Sequence, residues 1–240
     1  MNRKISVIYD RLLKCYGPQG WWPGDSRLEI IVGAILTQNT AWSNVEKAIA
    51  NLKKARALSS PDPIHRMTSR RLSGLIRPAG YYNVKARRLK NFFRFLHGSY
   101  GGSLARMTAT PTEKLREELL GVNGIGPETC DSILLYAFKR PVFVIDAYTK
   151  RVFSRHKLCR PDTDYAALQT FFTRNLPEDA RLFNEYHALI VRLGKERCRT
   201  RPLCGTCPLR KRGLTPFSLQ KPIIDNIISK IRLRNQLVIE

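Results

Sequence analysis

Hydrophobic residues recur with the period of an α-helix along almost the whole of this 240-residue chain. Spacings of three and four residues place apolar side chains on one helical face. Two such stripes are Val45, Ala48, Ile49 and Leu52, and Leu89, Phe92, Phe93 and Leu96. Residues 141–145 (PVFVI) have the composition of a strand, but a strand without a partner is unstable, so we expect a buried extended connector there. The pattern therefore predicts an all-α fold.

A glycine-rich segment, residues 121–126 (GVNGIG), separates two stretches of helical pattern. Gly121 is expected to end the first helix and Gly126 to begin the second. Glycine permits positive φ and close approach of another backbone, and free amides at a helix N-terminus attract anions. We therefore expect Gly124, Ile125 and Gly126 to bind a DNA backbone irrespective of base sequence. A glycine-rich corner between helices, without a ligand, is the alternative.

The helix that leads into this hairpin carries a capping signal in the segment TPTEKLREELLG. A threonine followed three residues later by a glutamate, with proline between them, is typical of a capped helix start. The pattern predicts Thr110 as the N-cap, Pro111 at the first helical position and Glu113 closing the capping box.

The net charge is unusual for a globular protein. Forty-two Lys and Arg against 19 Asp and Glu give +23, and a surplus of this size favours a polyanionic partner because binding releases counterions from phosphates. An acidic membrane surface is the weaker alternative, and a generally basic set of proteins could produce the same charge.

Neither a membrane span nor a signal peptide is evident in the sequence. No apolar run approaches the roughly 18 residues that cross a bilayer, and the N-terminal segment MNRKISVIYDRLLKCYG mixes charges into an amphipathic pattern. We therefore expect an intracellular protein, of the cytoplasm or nucleoid, that does not bind membranes. In that setting the six cysteines are expected to be thiols or metal ligands rather than disulfides.

Asp146 follows the extended segment and precedes a stretch of helical pattern. One interpretation is a simple N-cap. The other is catalytic, because a helix N-terminus keeps a carboxylate ionised, and such a group beside DNA could stabilise positive charge on a sugar or orient water. Lys150, one turn later, could pair with it. The residues alone leave both interpretations open.

Three segments, in this order and spacing, resemble the helix-hairpin-helix (HhH-GPD) DNA glycosylases of the endonuclease III superfamily. They are ILTQNTAWSNVEKAI, GVNGIGPETCDSIL and VIDAYTKRVF. The resemblance implies two helical domains: residues 25–136 as a six-helix barrel containing the hairpin, and residues 1–24 with 137–210 as the second. Residues 211–240 would be a basic, amphipathic tail.

The resemblance also assigns roles to individual residues. Asp146 occupies the catalytic aspartate position, and Gln38 matches the glutamine that fills the space left by the extruded nucleotide. Relatives that also cleave the strand carry a lysine where this chain has Glu128. Because a carboxylate cannot form an imine, we predict base removal by water without lyase activity. Glu128 itself can have a structural role in the first helical turn.

Within the superfamily, the segments WWPGDSRLEIIVGAILTQNTAW and IRPAGYYNVKARRL are most similar to the 3-methyladenine DNA glycosylase III type. That branch holds the extruded base between aromatic side chains, which implies a base pocket formed by Trp21 and/or Trp22 on one side and Trp42 on the other. Indole faces attract a purine made cationic by alkylation. A pair of core tryptophans is the alternative for the first two.

A cysteine-rich segment, CRTRPLCGTCPL, places Cys198, Cys204 and Cys207 in the spacing C-x5-C-x2-C. Many relatives hold a [4Fe–4S] cluster in a similar loop with four cysteines, and the resemblance therefore implies an iron–sulfur cluster here. The fourth cysteine is missing, since position 213 is glycine. His187, Cys15, Cys159 or an exogenous ligand could replace it; a [3Fe–4S] cluster, zinc or a remnant site are the alternatives.

Together these features predict a monofunctional DNA N-glycosylase of base excision repair that removes alkylated purines such as 3-methyladenine. Its partner would be double-stranded DNA containing a damaged base, bound by a monomer. One alternative is an endonuclease III-like enzyme for oxidised, deaminated or mismatched bases. The other is a non-catalytic DNA-binding protein, against which the acid at position 146 argues because it would only repel phosphates.

Overall fold

The structure, a computed structural model, describes residues 3–210, so the predicted tail at 211–240 lies outside the described residues. The described chain forms two compact units, residues 22–142 and residues 3–21 with 143–210. The sequence placed the divisions after residues 24 and 136.

The described residues form helices and contain no β-strand, which confirms the all-α prediction. The first unit holds eight helices, α2 to α9. They are α2 (Arg27–Leu36), α3 (Trp42–Lys54), α4 (Pro61–Arg66), α5 (Ser69–Leu75), α6 (Tyr82–Tyr100), α7 (Leu104–Ala109), α8 (Thr112–Leu120) and α9 (Pro127–Ser132). The second unit holds α1 (Arg3–Tyr16), α10 (Ala147–Arg155), α11 (Tyr165–Asn175) and α12 (Ala180–Glu196).

The core of residues 22–142 is built around α2, whose residues from Leu28 to Leu36 are all buried. A helix that is apolar on every side must be surrounded by other helices. The two predicted stripes on α3 and α6 are buried as expected. α9 continues into a π-helical turn, Ile133–Ala137, every residue of which is buried.

The predicted capping box is wrong. α8 begins at Thr112, because Pro111 has the extended backbone of an N-cap residue (φ −54°, ψ 147°). Thr110 instead ends α7, and its hydroxyl donates to the carbonyl of Arg106 at 3.2 Å. Because Pro111 is extended and not the first helical residue, α8 starts one residue later than predicted, which leaves Thr110 one position too early to cap it.

The second unit has an aromatic core around the extended segment that the sequence predicted. Phe143 is fully buried and stacks on Phe172 of α11, with ring centroids 3.9 Å apart. Tyr186 of α12 contacts both rings, and its hydroxyl donates to the carbonyl of Ile5 on α1 at 2.8 Å. These contacts fix the start of α10, where Asp146 lies. Within the described residues no helix is long and apolar enough to cross a membrane.

Candidate functional site

In the hairpin between α8 and α9, Gly126 is the N-cap of α9, as expected, but only Gly124 of the two glycines has a positive φ. Gly124 has φ +96°, and a Cβ added there would collide with the side-chain stem of Arg88. Glycine is therefore required at 124 both for conformation and for space. Behind the hairpin, Arg116 donates to the buried carboxylate of Asp131 in a bidentate pair, at 2.7 and 3.2 Å, which joins α8 to α9.

Gln38, predicted to fill the gap left by an extruded nucleotide, lies in the loop after α2 and is hydrogen-bonded within the protein. Its Nε2 donates to the carbonyl of Gly124 at 3.0 Å and to the hydroxyl of Thr129 at 2.8 Å. Its Oε1 accepts from Arg88. The side chain therefore joins its own loop to the hairpin.

Two of the three tryptophans predicted for a base pocket meet in the same unit. Trp22 and Trp42 contact edge to face, with centroids 5.1 Å apart and ring planes at 89°. Trp22 also contacts Tyr136 of the π-helical turn at 5.2 Å. Beneath it lies Gly33, where an added Cβ would be 3.2 Å from the indole. Trp21 belongs to the other unit.

A cleft of about 320 Å³ opens beside Trp22 and Trp42, within the size range of small-molecule sites. Its other walls are residues 23–25, Glu29 of α2 and the face of α3 from Glu46 to Lys53. The Lys53 ammonium lies 2.7 Å from Asp25 and 2.8 Å from Glu29. With Glu46, the cleft has three acidic groups against one lysine, the opposite of the charge balance of the whole chain.

Asp146 is the N-cap of α10 and is 9% exposed. Its Oδ1 accepts from the backbone amide of Thr149 at 2.7 Å and from its hydroxyl at 2.8 Å. Its Oδ2 lies 3.6 Å from Nε2 of His187. Burial raises the pKa of Asp146, but His187 and the two bonds from Thr149 outweigh burial and hold this pKa below its ordinary value. One oxygen thus caps the helix while the other faces an imidazole.

The sequence did not identify His187 as the neighbour of Asp146. The sequence pattern suggested His187 as a replacement for the missing fourth cysteine ligand of a cluster. It suggested Lys150, one helical turn after Asp146, as the partner of that carboxylate. In the structure, α10 and α12 pack together and bring the imidazole to the carboxylate, and within residues 3–210 Lys150 makes no ion pair with it. A contact between distant helices has no local sequence signal.

Glu128, which the resemblance predicts at the position of a lyase lysine, is exposed at the second residue of α9. An acidic group in the first turn of a helix is favourable because the helix dipole is positive there. The structure thus provides a structural reason for a glutamate at this position.

The three cysteines of the C-terminal loop do not fit a metal cluster. Cys198 is buried, with its Sγ 3.4 Å from the Arg155 guanidinium, whereas Cys204 is exposed. Burial raises the pKa of the Cys207 thiol, and the neighbouring sulfurs of Cys198 and Cys204 also raise it. Among the described residues no group of three or more His, Cys, Asp or Glu side chains is arranged to hold a metal ion.

The loop is instead organised by hydrogen bonds from two arginines of α10. Arg151 donates to the carbonyls of Cys198 at 2.7 Å and Gly194 at 3.1 Å. Arg155 donates to the carbonyls of Arg199 at 2.6 Å and Thr200 at 2.9 Å. These bonds satisfy backbone carbonyls that would otherwise turn to solvent.

Tyr81 is a candidate that the sequence reasoning missed. It is 74% exposed, and its backbone is left-handed, with φ 44°. A non-glycine residue in this region is strained by roughly 1 kcal/mol or more, and an exposed aromatic side chain gains nothing from the core. The available signal was Gly80 directly before two tyrosines at a helix start.

Comparisons with known proteins agree with this arrangement. Residues 32–178 match the family model of the HhH-GPD superfamily base excision DNA repair proteins. A candidate DNA repair glycosylase of Methanocaldococcus jannaschii is 50% identical over 86% of this chain and 94% of its own. Endonuclease III of Sulfolobus acidocaldarius is 32% identical over 75% of this chain and 78% of its own.

Solved structures give the same result. The Helicobacter pylori 3-methyladenine DNA glycosylase, bound to 1,N6-ethenoadenine, has a TM-score of 0.68 and 31% identity, covering 81% of this chain and 95% of that chain. An endonuclease III trapped in a covalent complex with DNA has a TM-score of 0.74 at 22% identity, covering 87% and 93%, and supports the fold. The chain therefore belongs to the HhH-GPD superfamily of base excision DNA repair proteins, as a DNA glycosylase related to endonuclease III.

Proposed function

We propose that this glycosylase is monofunctional and releases alkylated purines, of the 3-methyladenine kind, from double-stranded DNA by hydrolysis of the N-glycosidic bond. The observation that carries the proposal is the cleft beside Trp22 and Trp42, with its excess of acidic groups. The relative that is 31% identical over most of both chains is a 3-methyladenine DNA glycosylase, which is consistent with this assignment.

The cleft suits a cationic base better than a neutral one. Enzymes that act on a base first extrude it from the stack and read it in a pocket. Alkylation at a ring nitrogen gives a purine a positive charge, which indole faces attract by about 0.5–2 kcal/mol. Glu46 and the pair of Asp25 and Glu29 add attraction that a neutral base would not gain. Because the charged base is already a good leaving group, no general acid is needed.

In the proposed reaction, Asp146 stabilises the positive charge that develops on the sugar as the bond to the base breaks. Its lowered pKa keeps the carboxylate ionised for this purpose. The cationic base leaves as a neutral purine with the bonding electron pair, a water molecule adds to the anomeric carbon, and the proton that this water loses passes to solvent. The oxygen that faces His187, rather than the one bonded to Thr149, is the one free of the capping role.

Strand cleavage through an imine is not expected, since Glu128 offers a carboxylate where bifunctional relatives have an amine. A monomer of the enzyme would bind DNA through three parts of residues 22–142. The hairpin at 121–126 contacts the phosphate backbone. Gln38 and Tyr81 enter the duplex where the damaged nucleotide has left, and Gln38 must release Gly124 and Thr129 to do so.

The test is a base-release assay with the full-length protein on duplexes that each contain one lesion. The panel comprises 3-methyladenine, 7-methylguanine, 1,N6-ethenoadenine, an oxidised pyrimidine, uracil and a G·T mismatch. Release confined to the alkylated purines is the expected result. Preference for uracil, the mismatch or the oxidised base would reassign the substrate, and no release from any duplex would remove the enzyme assignment.

Borohydride trapping on the same duplexes tests the hydrolytic mechanism. A monofunctional enzyme forms no imine, so no covalent protein–DNA product is expected. A trapped adduct would show that another amine of the chain attacks the sugar.

A further inference from the structure

A buried lysine joins two loops at the start of α6. Lys85 is 1% exposed, and its Nζ donates to the carbonyls of Leu36 and Ala79, both at 2.8 Å, and to the hydroxyl of Thr40. Leu36 and Thr40 flank Gln38 in the loop after α2. Ala79 lies two residues before Tyr81. The Thr40 hydroxyl itself donates to the Ala79 carbonyl at 2.6 Å, so these groups form one network.

Burying the ammonium of Lys85 at this position costs free energy. Its hydrogen-bond partners among the described residues are neutral oxygens, not carboxylates, and a buried charge without a counter-ion is destabilising. Burial, with help from the Arg88 guanidinium, lowers the pKa of Lys85 to about 8. An apolar side chain would avoid this penalty but would leave the carbonyls of Leu36 and Ala79 without their bonds from Lys85. The lysine therefore exchanges the cost of a buried charge for bonds that hold these two segments together.

Arg88 extends the network to a third loop. It lies one turn after Lys85, on the same side of α6, and donates to the Oε1 of Gln38. Gln38 in turn donates to the carbonyl of Gly124 in the hairpin at 3.0 Å. The stem of Arg88 also occupies the space beside Gly124. The hairpin is thus held against α6 by both packing and hydrogen bonds.

We propose that Lys85 and Arg88 are positioning residues, which fix the loops at 36–41, 76–81 and 121–126 in one arrangement so that all three meet DNA together. The inference rests on the proposed roles of Gln38, Tyr81 and the hairpin. Loops held in advance lose less conformational entropy when they bind. Without the two residues each loop would have to be ordered by the DNA itself.

Because Lys85 carries a charge that can titrate, its positioning of the loops should depend on pH, whereas packing alone would not. The polar and charged groups that face the Lys85 ammonium are the carbonyls of Leu36 and Ala79, the Thr40 hydroxyl and the Arg88 guanidinium. A neutral amine has two donors for three acceptors, so loop positioning should weaken above about pH 8. Stability should change in the opposite direction, because an unfolded chain, with the ordinary lysine pKa of 10.5, binds more protons between these two values.

The experiment compares Lys85→Met and Arg88→Met with Lys90→Met. Lys90 is a matched control, because it is on the same helix and donates to the carbonyls of His65 and Met67 at the end of α4, away from the three loops. Affinity is measured for a duplex that contains a tetrahydrofuran abasic-site analogue. Binding to this probe requires no base release, so it remains informative if the proposed substrate is wrong.

We expect Lys85→Met and Arg88→Met to bind the probe about fivefold or more weakly than Lys90→Met, which should match the wild type within about twofold. The wild type should lose affinity between pH 7.5 and 9 by more than Lys85→Met does. Equal affinities for all three variants, or parallel pH profiles for the wild type and Lys85→Met, would overturn the proposal. If Lys85→Met does not fold, Arg88→Met decides by the same affinity comparison, since Arg88 is only half-buried.

Discussion

Replacing Asp146 with asparagine separates the capping role of this residue from its proposed chemistry. Asparagine keeps an oxygen that can accept from both donors of Thr149, now at 2.7 and 2.8 Å. Hydrogen bonds to a charged group contribute about 1 kcal/mol more than those to a neutral group. Two such bonds are weakened, so Asp146→Asn should cost about 2 kcal/mol of the free energy of unfolding. Against a typical stability of about 5–15 kcal/mol, the variant stays folded.

The effect on base release should be much larger. A group that stabilises transition-state charge is worth on the order of 10²–10³ in rate, so single-turnover release of 3-methyladenine should fall by about that factor. Affinity for the abasic-analogue duplex should hold or rise, since a negative charge near phosphates has been removed.

Asp146→Ala provides the control, because it removes the cap and should cost about 1 kcal/mol more than the asparagine variant. If activity followed stability across the wild type, Asn and Ala forms, Asp146 would be an N-cap alone. A wild-type rate of base release in Asp146→Asn would falsify the catalytic assignment outright.

Three further substitutions test other parts of the site. Gly33→Ala should move Trp22 by a few tenths of an ångström and raise KM for an alkylated duplex about three- to tenfold, while helix propensity keeps the thermal midpoint from falling; an unchanged KM would remove Trp22 from the base pocket. His187→Gln should raise the pKa of Asp146, so the acid limb of the pH–rate profile should move to higher pH, and the stability lost on acidification should become smaller because the folded-state pKa moves closer to that of the unfolded chain; a fixed acid limb contradicts the pairing. Cys204→Ser, at an exposed position, should change stability by no more than about 0.5 kcal/mol, whereas a large loss together with loss of iron would show that a cluster organises the loop.

Local patterns were enough to predict the helices and the hairpin. The apolar stripes of α3 and α6 are set by the geometry of a single helix, and glycine at position 124 is required by a backbone torsion. Asp146 could be recognised as an N-cap for the same reason. The capping box at Thr110 failed because two short helices meet there, and the sequence pattern does not say which of them a threonine bounds.

Such local patterns do not predict contacts between segments that are distant in the sequence. The pairing of Asp146 with His187 depends on how α10 packs on α12, and the burial of Lys85 depends on two loops that converge on α6. Lysine side chains are almost always exposed, so nothing in the sequence predicts that Lys85 is buried. The sequence does not distinguish Tyr81 from other tyrosines near a helix start, because its high exposure is visible only in the structure.

The contact between Trp22 and Trp42 implies an entry threshold for the base. Under the proposed function, a planar ring fits between them only when they stand about 7 Å apart, two van der Waals distances, and the edge-to-face pair leaves no such gap. If the pair contributes about 1 kcal/mol, the open arrangement is populated on the order of 10% of the time, and the apparent affinity for every base falls about tenfold. The same factor applies to normal and damaged bases alike. The ratio of the two affinities is therefore unchanged, but a neutral base whose stacking energy is smaller than the cost of separating the rings stays outside, whereas a cationic purine whose binding energy exceeds that cost is still held.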